Sequence, residues 1–561
     1  MTIQSCKTIG RYFIFIIACI FSLASYSASA HDITTIKILG INDFHGQVSM
    51  GRRMNGRPIG GAAVMTSYLR QSQAESDSTL ITLMGDQVGA SSPVSGLLHD
   101  EPTIMYLNML ANVHCSKETR MDAECNLVAT VGNHEFDKGQ SAMFGLIYGT
   151  NLPPTDGWLP MSSYPGAVYP YISANIVNEK TGKLLFPPYV IKKVKGISVA
   201  FIGAITKNAP DVILNKNIDG VTFLDEADAI NRFIPEIRAQ GAKIIVVLIH
   251  EGGMQSPYEG DTKDNGAVEG RIVDIVNRLD DSVDVVMAGH VHQFVNAMLA
   301  NQHGKKILVT EAGSYSTAFA EVTLNVDKQN LTVHDKSARV IYTYADQAPG
   351  DSPDMNVAKL VKLAEDKVKP KVERQVGTLV NTLEKNGNAD GESTLGNLLT
   401  DAYRSAMQSD MAIYNNGGIR SDLYAGKVTW GDLFAVQPFS NVVVKLAMSG
   451  RDLYALLEQQ WRPGKTDILQ ISGFSYVHDV SKPIGQRIVS ITFNGKPLQQ
   501  DRLYSVATNN FLAAGGDGFS VFKNAKVTGL GGVDLDELVR YVEKLPQPFS
   551  ITTDGRIRAQ S

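Results

Sequence analysis

Five short polar segments, spread between residues 43 and 292, each follow a short run of apolar residues. They read DFHG at 43–46, GD at 85–86, GNHE at 132–135, HEGG at 250–253 and GHVH at 289–292. The runs before them, such as KIIVVLI and VDVVMA, have the length and β-branched content of buried strands. Because loops at the ends of such strands meet at one edge of a sheet, the polar segments are expected to converge there.

The side chains in these segments are typical of a transition-metal site without thiolate. Aspartate and histidine two residues apart can face one cavity in an extended chain, and the HVH segment repeats that spacing. This mixture of nitrogen and oxygen donors suits Zn, Mn, Co or Fe(II) rather than Ca. Two such ions, roughly 3.5–4 Å apart, hold a phosphoryl group and generate hydroxide at neutral pH. The candidate ligands are Asp43, His45, Asp86, Asn133, His250, His290 and His292.

Residues 1–30 are predicted to be a cleaved signal peptide. Two basic residues precede the apolar run YFIFIIACIFSLA, and Ala28-Ser29-Ala30 has the small-x-small form of a cleavage site. The mature chain would then begin at His31 and function in the periplasm or outside the cell. An uncleaved membrane anchor and a lipoprotein attached through Cys19 are the alternatives. After cleavage no stable membrane insertion is expected.

The net charge of the chain bears on whether it binds nucleic acid, and its cysteines bear on whether it functions in an oxidising compartment. Loss of the signal peptide removes Lys7 and Arg11 and no acidic residue, so the formal charge falls from −5 to −7. An acidic chain is a poor candidate for sequence-independent nucleic-acid binding. Cys115 and Cys125 remain, and in an oxidising compartment they are predicted to form a disulfide, with two free thiols as the alternative.

The sequence predicts an α/β catalytic domain over residues 31–344, because apolar strand-like runs alternate there with helix-like segments at Ala62–Ala74 and Glu226–Gln240. Residues 345–374 are predicted to be a linker with a connecting helix, interrupted by Pro370. A second domain follows over residues 375–561. It contains Gly-rich turns, aromatic residues and an arginine but no cluster of metal ligands, which suggests recognition rather than chemistry.

The order and form of the five segments resemble the calcineurin-like metallophosphoesterase superfamily, and with the second domain the chain resembles a bacterial member of the 5′-nucleotidase family. The resemblance runs from about residue 36 to 555. It implies a four-layer α/β/β/α catalytic domain followed by a smaller α+β substrate-binding domain. It also implies two divalent ions, and the ligand set divides accordingly: Asp43, His45 and His292 for the first ion, Asn133, His250 and His290 for the second, and Asp86 as the bridge.

The same resemblance separates His134 from the metal ligands. It implies that His134 stabilises the transition state and assists the leaving group, oriented by Asp137 in the segment GNHEFDKG. An imidazole beside a carboxylate is kept cationic and can donate to a phosphoryl oxygen. Glu135 is the rival carboxylate.

In the second domain the resemblance implies a clamp for a nucleotide. Two phenylalanines would hold the base, an aspartate the ribose, two asparagines the base or phosphate, and an arginine the phosphate: Phe439, Phe511, Asp517, Asn415, Asn441 and Arg420. Core packing is the alternative for both phenylalanines. The family carries further arginines before its (N/T)xxGNL-type segment, whereas residues 386–393 here contain none. Lys385 could supply a point charge without bidentate geometry.

These residues predict a metal-dependent hydrolase that releases phosphate and nucleoside from 5′-nucleotides. A nucleotide is therefore the expected partner, and a nucleic acid is not. Because the site has fewer arginines for the phosphate than the family pattern, two alternatives with the same fold stay open, a nucleotide-sugar and a 2′,3′-cyclic-nucleotide phosphodiesterase. A nucleotide-binding protein without catalysis is the alternative from another class. The native metal, the preferred base and the oligomeric state stay open.

Overall fold

A computed structural model describes residues 32–76, 79–264 and 266–560. The predicted signal peptide and its cleavage site lie outside the described residues. The first domain contains a six-stranded sheet in which four neighbouring strands are parallel, the fifth pairs antiparallel with them, and the edge strand pairs antiparallel with the fifth. In spatial order its strands are Thr332–Tyr342, Ala318–Asp327, Ile33–Ile41, Thr79–Met84, Leu127–Thr130 and Tyr171–Ile172.

A second, seven-stranded sheet packs against the first. Its four central strands are parallel, and an antiparallel strand lies on each side of them. In spatial order the strands are Lys263–Asp264, Phe294–Ala300, Lys306–Ala312, Val283–Met287, Ile244–His250, Ile197–Ile205 and Tyr189–Val194.

The side chains of each sheet alternate between its two faces, and together they pack into three apolar layers. Ile36 and Ile38 of the first sheet pack with Val246 of the second, in a core between the two sheets. Their neighbours Leu39 and Ile41 point to the opposite face, where they pack against helices. The helices over the first sheet are Ala62–Ala74, Glu101–Leu110, Gln140–Tyr148 and Met355–Val372. Those over the second are Glu226–Ala239 and Arg271–Arg278, so the predicted four-layer α/β/β/α domain is confirmed.

Two helix predictions are confirmed to within one residue, Ala62–Ala74 and Glu226–Ala239. The second begins at a local signal, because the Asp225 side chain accepts a hydrogen bond from the backbone N–H of Asp228. The predicted interruption at Pro370 is wrong. The helix continues through Pro370 to Val372, because its packing in the core of the first domain outweighs the loss of one intrahelical hydrogen bond.

The connecting helix Met355–Val372 is part of the catalytic domain's core rather than a separate tether. Val357, Val361, Ala364 and Val368 recur at helical spacing and are buried in the same apolar layer as the other helices over the first sheet. The helix therefore packs with the other helices over the first sheet.

The second domain is of the α+β class, as predicted. Its five-stranded sheet has the order Gln470–Ser472, Met411–Tyr414, Leu503–Asn509, Val442–Ser449 and Lys526–Val533. A four-stranded sheet has the order Lys496–Pro497, Ile488–Phe493, Phe474–His478 and Ile557–Ala559. The longer helices are Thr394–Met407, Trp430–Val436, Gly450–Glu458 and Asp534–Lys544.

The five-stranded sheet has an apolar core on each face, with Ala412 and Tyr414 on one and Met411 and Ile413 on the other. In the first domain the predicted disulfide between Cys115 and Cys125 is present. Within the described part of the chain, no helix combines the length and the apolar composition needed to cross a bilayer.

Candidate active site

The polar segments meet at the carboxyl ends of the parallel strands of both sheets. Asp43 and Asp86 follow neighbouring strands of the first sheet, and His250 ends a central strand of the second. Hydrogen bonds join the segments directly. The backbone N–H of His290 donates to the Asp43 carboxylate over 3.0 Å, and that of His134 donates to Asp86 Oδ1 over 2.8 Å. The expected convergence is therefore present.

Five candidate ligands have left-handed backbone conformations. The φ angles are +49° for Asp43, +48° for His45, +50° for Asp86, +83° for His290 and +59° for His292. Such conformations cost about 1–3 kcal/mol each for residues other than glycine, and persist only where the surrounding structure enforces them. The loops are thus held in shapes that local propensity disfavours, which is typical of functional sites.

One group of side chains consists of Asp43, His45 and His292, whose ligand atoms lie within 4.8 Å of one another. His45 Nε2 is 3.0 Å from His292 Nε2, and His292 Nε2 is 3.5 Å from Asp43 Oδ1. His45 Nδ1 lies 2.8 Å from the carbonyl oxygen of Gly89, which leaves Nε2 for the interior of the group. Burial and the nearby Arg420 hold the pKa of His45 well below its usual range, so the imidazole is neutral.

A second group consists of Asp86, His250 and His290, again within 4.8 Å. His250 Nδ1 lies 2.8 Å from the carbonyl oxygen of Met84, and its Nε2 is 3.1 Å from both Asn133 Oδ1 and Asp86 Oδ2. Asp86 Oδ2 also lies 3.8 Å from His45 Nε2, so one carboxylate reaches both groups.

This donor set fits a pair of divalent transition-metal ions. Each group combines imidazole nitrogens with a carboxylate, Asn133 adds an amide oxygen, and none of the seven side chains is a thiolate. Although burial alone would raise the pKa of the Asp86 carboxyl, the neighbouring His250 and His134 hold it well below its usual range. Asp86 is therefore an anion between the two groups.

Glu135 holds the loops that carry these ligands. Its carboxylate accepts hydrogen bonds from the backbone N–H groups of Gly132 at 2.6 Å, Asp86 at 3.0 Å and Gln87 at 3.0 Å. It is 5% exposed, and these backbone groups rather than the His134 ring are its hydrogen-bond partners. Sequence reasoning treated Glu135 only as a rival partner for His134 and missed this role.

The partner of the His134 ring is Asp137, whose Oδ2 lies 2.8 Å from Nδ1. Burial alone would lower the pKa of His134, but Asp137 and Asp86 outweigh it and raise that pKa above the usual value. The imidazolium form is therefore favoured beside the two ligand groups, with Nε2 available as a donor.

A cleft of about 180 Å³ lies between the two domains, directly over the ligand groups. Asp86, Asn133, His134, His290 and His292 line it from the first domain. All six recognition residues predicted from the sequence line it from the second: Asn415, Arg420, Phe439, Asn441, Phe511 and Asp517. The catalytic domain adds three wall residues that sequence reasoning missed, Val212, Leu214 and Asn217.

Both phenylalanines are half-buried at the cleft rather than enclosed in a core. The Phe439 ring stacks on His134, with centroids 5.7 Å apart. Asp517 has a φ of +54° and accepts a hydrogen bond from Asn415 Nδ2 over 2.8 Å. The backbone carbonyl of Asp517 also accepts a hydrogen bond from Arg462, a residue that no sequence motif indicated.

Arg420 connects the second domain to the first ligand group. Its Nε donates to the Tyr315 hydroxyl over 2.9 Å, and its Nη2 lies 3.3 Å from His45 Nε2. The Tyr315 ring in turn stacks on His45, with centroids 4.9 Å apart and planes at 29°. Tyr315 was also missed, because it follows the strand Lys306–Ala312 without any recognisable motif.

Comparison with known proteins agrees with this arrangement. Residues 36–294 match the family of calcineurin-like phosphoesterases, and residues 375–524 match the 5′-nucleotidase C-terminal domain. Endonuclease YhcR of Bacillus subtilis is 34% identical over 93% of this chain, which spans only 41% of that protein. Cell wall protein Lmo0130 of Listeria monocytogenes is 33% identical over 92% of this chain and 68% of its own length.

The fold also matches a solved structure over nearly its whole length. The 5′-nucleotidase precursor from Thermus thermophilus superposes with a TM-score of 0.76 at 24% identity, covering 94% of this chain and 99% of that one. The family of the chain is shown by the two family matches together with a relative that is 33% identical over 68% of its own length. The chain belongs to the 5′-nucleotidase family of calcineurin-like metallophosphoesterases.

Proposed function

We propose that the protein is a metal-dependent hydrolase that releases phosphate and nucleoside from 5′-nucleotides. One observation carries this proposal: a single cleft is lined by members of both ligand groups, by the His134–Asp137 pair and by the aromatic and polar side chains of the second domain. A nucleotide is the class of molecule that needs metal contacts at one end and ring stacking at the other.

The catalytic roles follow from the positions of the side chains. The seven candidate ligands would hold two divalent ions, which supply hydroxide at neutral pH and neutralise charge on the phosphoryl group. Asp137 orients His134 and keeps it protonated, so that Nε2 donates to a phosphoryl oxygen or to the departing 5′-oxygen. Arg420 adds a guanidinium beside His45, where it can pair with a phosphate oxygen.

Recognition of the nucleoside would depend on three side chains of the second domain. Phe439 and Phe511 line the cleft, and stacking of a base on an aromatic ring contributes about 1–3 kcal/mol. Such stacking tolerates different bases. The Asp517 carboxylate, oriented by Asn415, is placed to accept hydrogen bonds from ribose hydroxyls.

The proposal is tested by a panel of phosphate-release assays. The mature chain, residues 31–561, is incubated with Mn or Co and with nucleoside mono-, di- and triphosphates, nucleotide sugars and cyclic nucleotides, and both phosphate and nucleoside are quantified. Release of both products from 5′-monophosphates is the expected result. Tight binding of nucleotides without release of phosphate from any of them would identify a binding protein instead.

A second candidate function is phosphodiester hydrolysis. A separate cavity of about 630 Å³ lies between the domains, lined by His134, Asp137 and Phe439 and by the apolar Leu97 and Phe434. It offers room for a second substituent on the phosphorus, and one relative is named an endonuclease. In the same panel, faster turnover of 2′,3′-cyclic nucleotides or nucleotide sugars than of monophosphates would favour this candidate.

We further propose that the protein is exported and that its mature chain begins at His31. The disulfide between Cys115 and Cys125 supports an oxidising compartment, and one relative is named a cell wall protein. Cell fractionation followed by N-terminal sequencing checks this assignment. A lipid-modified Cys19 at the terminus would show a lipoprotein instead.

A further inference from the structure

Four polar side chains lie buried behind the recognition residues of the second domain, and none of them lines the cleft. They are Tyr403, Tyr414, Gln437 and Asp534, each 0% exposed. Tyr403 and Tyr414 pack in the apolar core on one face of the five-stranded sheet. Burial of hydrogen-bonding groups costs free energy that apolar side chains of the same size would not incur. A role beyond filling the core is therefore indicated.

The recognition segment, residues 438–441, carries Phe439 and Asn441, two of the side chains that line the cleft. Ser440, which lies between them in the chain, has a left-handed φ of +56°. For a residue other than glycine this conformation is disfavoured, and it persists only where the surrounding structure enforces it. The shape of the recognition segment therefore depends on the contacts that hold its two ends.

Asp534 is connected to both ends of the recognition segment. At one end its backbone N–H donates to the carbonyl oxygen of Asn441 over 2.8 Å. At the other end its Oδ2 lies 3.3 Å from the Tyr403 hydroxyl, which accepts a hydrogen bond from Gln437 Nε2 over 3.3 Å. Gln437 directly precedes the segment in the chain. One residue thus restrains the segment through its backbone and, by way of Tyr403, through its side chain.

The same groups reach the loop that carries Asn415 and Arg420. The Tyr414 hydroxyl donates to the carbonyl oxygen of Gly418 over 3.1 Å. Its ring packs edge-on against the Tyr403 ring, with centroids 5.4 Å apart and planes at 85°. Recognition residues from two separate parts of the sequence therefore rest on one buried network of side chains.

Hydrogen bonds in such a network are directional, so they define one position for the recognition segment where apolar packing alone would allow several. Burial raises the pKa of the Asp534 carboxyl to about 7, and below that pH the side chain takes part as a neutral acid. The network therefore restrains the segment without leaving an unpaired charge in the core.

We propose that Asp534, Tyr403 and Gln437 are positioning residues that hold the recognition segment in the geometry that binds the nucleoside. They do not touch the substrate and act through Phe439 and Asn441. This inference rests on the proposed nucleotide hydrolysis and deepens it. Discrimination between a nucleotide and a phosphate ester without a base depends on groups behind the cleft as well as on the rings that line it.

The kinetic test compares a nucleoside 5′-monophosphate with glycerol phosphate, which has no base. The ratio of kcat/KM for the nucleotide over glycerol phosphate is expected to fall about tenfold in Tyr403→Phe and in Gln437→Met, because the Phe439 ring is no longer held for stacking. Asp534→Asn, which keeps a neutral hydrogen-bonding group, should lower this ratio less than Asp534→Leu.

Tyr476→Phe is the matched control. Tyr476 is another buried tyrosine of the second domain, 1% exposed, and its hydroxyl donates to Gln460 Oε1 over 3.0 Å. It does not line the cleft, so its variant should keep the wild-type ratio. An unchanged ratio in both Tyr403→Phe and Gln437→Met would overturn the positioning role, as would an equal fall in Tyr476→Phe.

Hydrogen–deuterium exchange of the nucleotide-free protein separates failure of this inference from failure of the proposed function, because it needs no turnover. Two backbone amides report on the recognition segment and on the neighbouring loop. The amide of Asp534 donates to Asn441, and the amide of Arg420 donates to the carbonyl oxygen of Val436 over 3.0 Å. Both hydrogen bonds end on the residues that flank the segment or on the segment itself.

Both amides should exchange about tenfold faster in Tyr403→Phe than in wild type or Tyr476→Phe, because local opening becomes easier when the network is broken. Amides of the strand Ile244–His250 in the first domain should keep their wild-type rates. Faster exchange at both reporter amides supports the positioning role even if the wild-type protein hydrolyses no nucleotide. Wild-type exchange rates at both amides in Tyr403→Phe contradict it.

Discussion

The Phe439 ring stacks on the His134 imidazole, with centroids 5.7 Å apart and planes inclined at 25°. An aromatic residue of the second domain thereby covers the proposed acid of the first. Because Phe439 also lines the cleft proposed for the nucleoside, binding of a base and assistance to the leaving group involve neighbouring rings. Both domains therefore contribute side chains to the candidate active site.

Replacing Phe439 with alanine is expected to weaken binding of the nucleoside. Loss of one stacking contact, worth about 1–3 kcal/mol, should raise KM for a nucleoside 5′-monophosphate by roughly five- to a hundredfold. The KM for glycerol phosphate, which has no base, should change much less. Phe493→Ala, at a half-buried ring outside the cleft, is the control. A similar rise in KM for both substrates would contradict the assignment of Phe439 to the base.

The His134–Asp137 pair is expected to act on kcat rather than on metal content. His134→Gln should lower kcat by about 10²–10⁴-fold, the usual contribution of a positioned acid, with both ions retained. Asp137→Asn should lower it less, because the ring keeps a hydrogen-bonding partner but loses the charge that favours the imidazolium form. Steady-state kinetics and metal analysis are measured together. His303→Asn, at an exposed histidine, should behave as wild type, and normal kcat in His134→Gln would refute the role.

Asp86 is expected to control metal binding because its carboxylate reaches both ligand groups. Mn at a hundred times its Kd should stabilise the wild-type fold by about 2.7 kcal/mol for one site, since it binds only the folded state. This stabilisation raises the melting temperature of the wild-type protein. Asp86→Asn should abolish most of that rise and lower the number of bound ions per chain. Asp281→Asn, at an exposed carboxylate, is the control. Two tightly bound ions in Asp86→Asn would exclude a bridging role.

The buried Asp534 predicts a pH-dependent stability in the second domain. Burial raises the pKa of its carboxyl from 3.8 to about 7, outweighing its hydrogen bonds with the backbone N–H of Leu535 and the Tyr403 hydroxyl. The folded state therefore binds a proton that the unfolded state releases. The contribution of the neutral acid to the free energy of unfolding is fully present below about pH 4. It is lost as the pH rises through 7, which lowers the free energy of unfolding by up to about 4 kcal/mol.

Asp534→Asn removes this titration and keeps a neutral side chain of similar shape. The melting temperature of the variant, measured relative to wild type, should rise between pH 5 and pH 8. A difference that stays constant over this range would show that Asp534 does not titrate there.

Local patterns predicted much of the scaffold. The helix Ala62–Ala74 and the strand that ends at His250 were evident because periodicity and apolar runs are local signals. The motif spacing likewise indicated which side chains would converge, and the structure brings all seven candidate ligands and all six recognition residues to one cleft or its floor.

Other features depend on distant contacts and could not be predicted from the sequence. Glu135 follows His134 directly, yet its carboxylate, in the short 3₁₀ turn His134–Phe136, accepts hydrogen bonds from the backbone of its own loop at Gly132 and of a distant loop at Asp86. Arg52 and Tyr315 are far apart in the sequence, and only the folded chain brings them into contact. The helix that continues through Pro370 shows the opposite error, because a local rule was applied where packing of the helix in the domain core outweighs its cost.

Metal-dependent release of nucleoside and phosphate from a nucleoside 5′-monophosphate tests the central claim most directly. The mature protein is assayed as purified, after treatment with EDTA, and after addition of Mn to the treated sample. We expect turnover that EDTA abolishes and Mn restores, with nucleoside and phosphate formed in equal amounts. Nucleotide binding without turnover in the Mn-loaded protein, or full turnover after removal of the metal ions, would contradict the account.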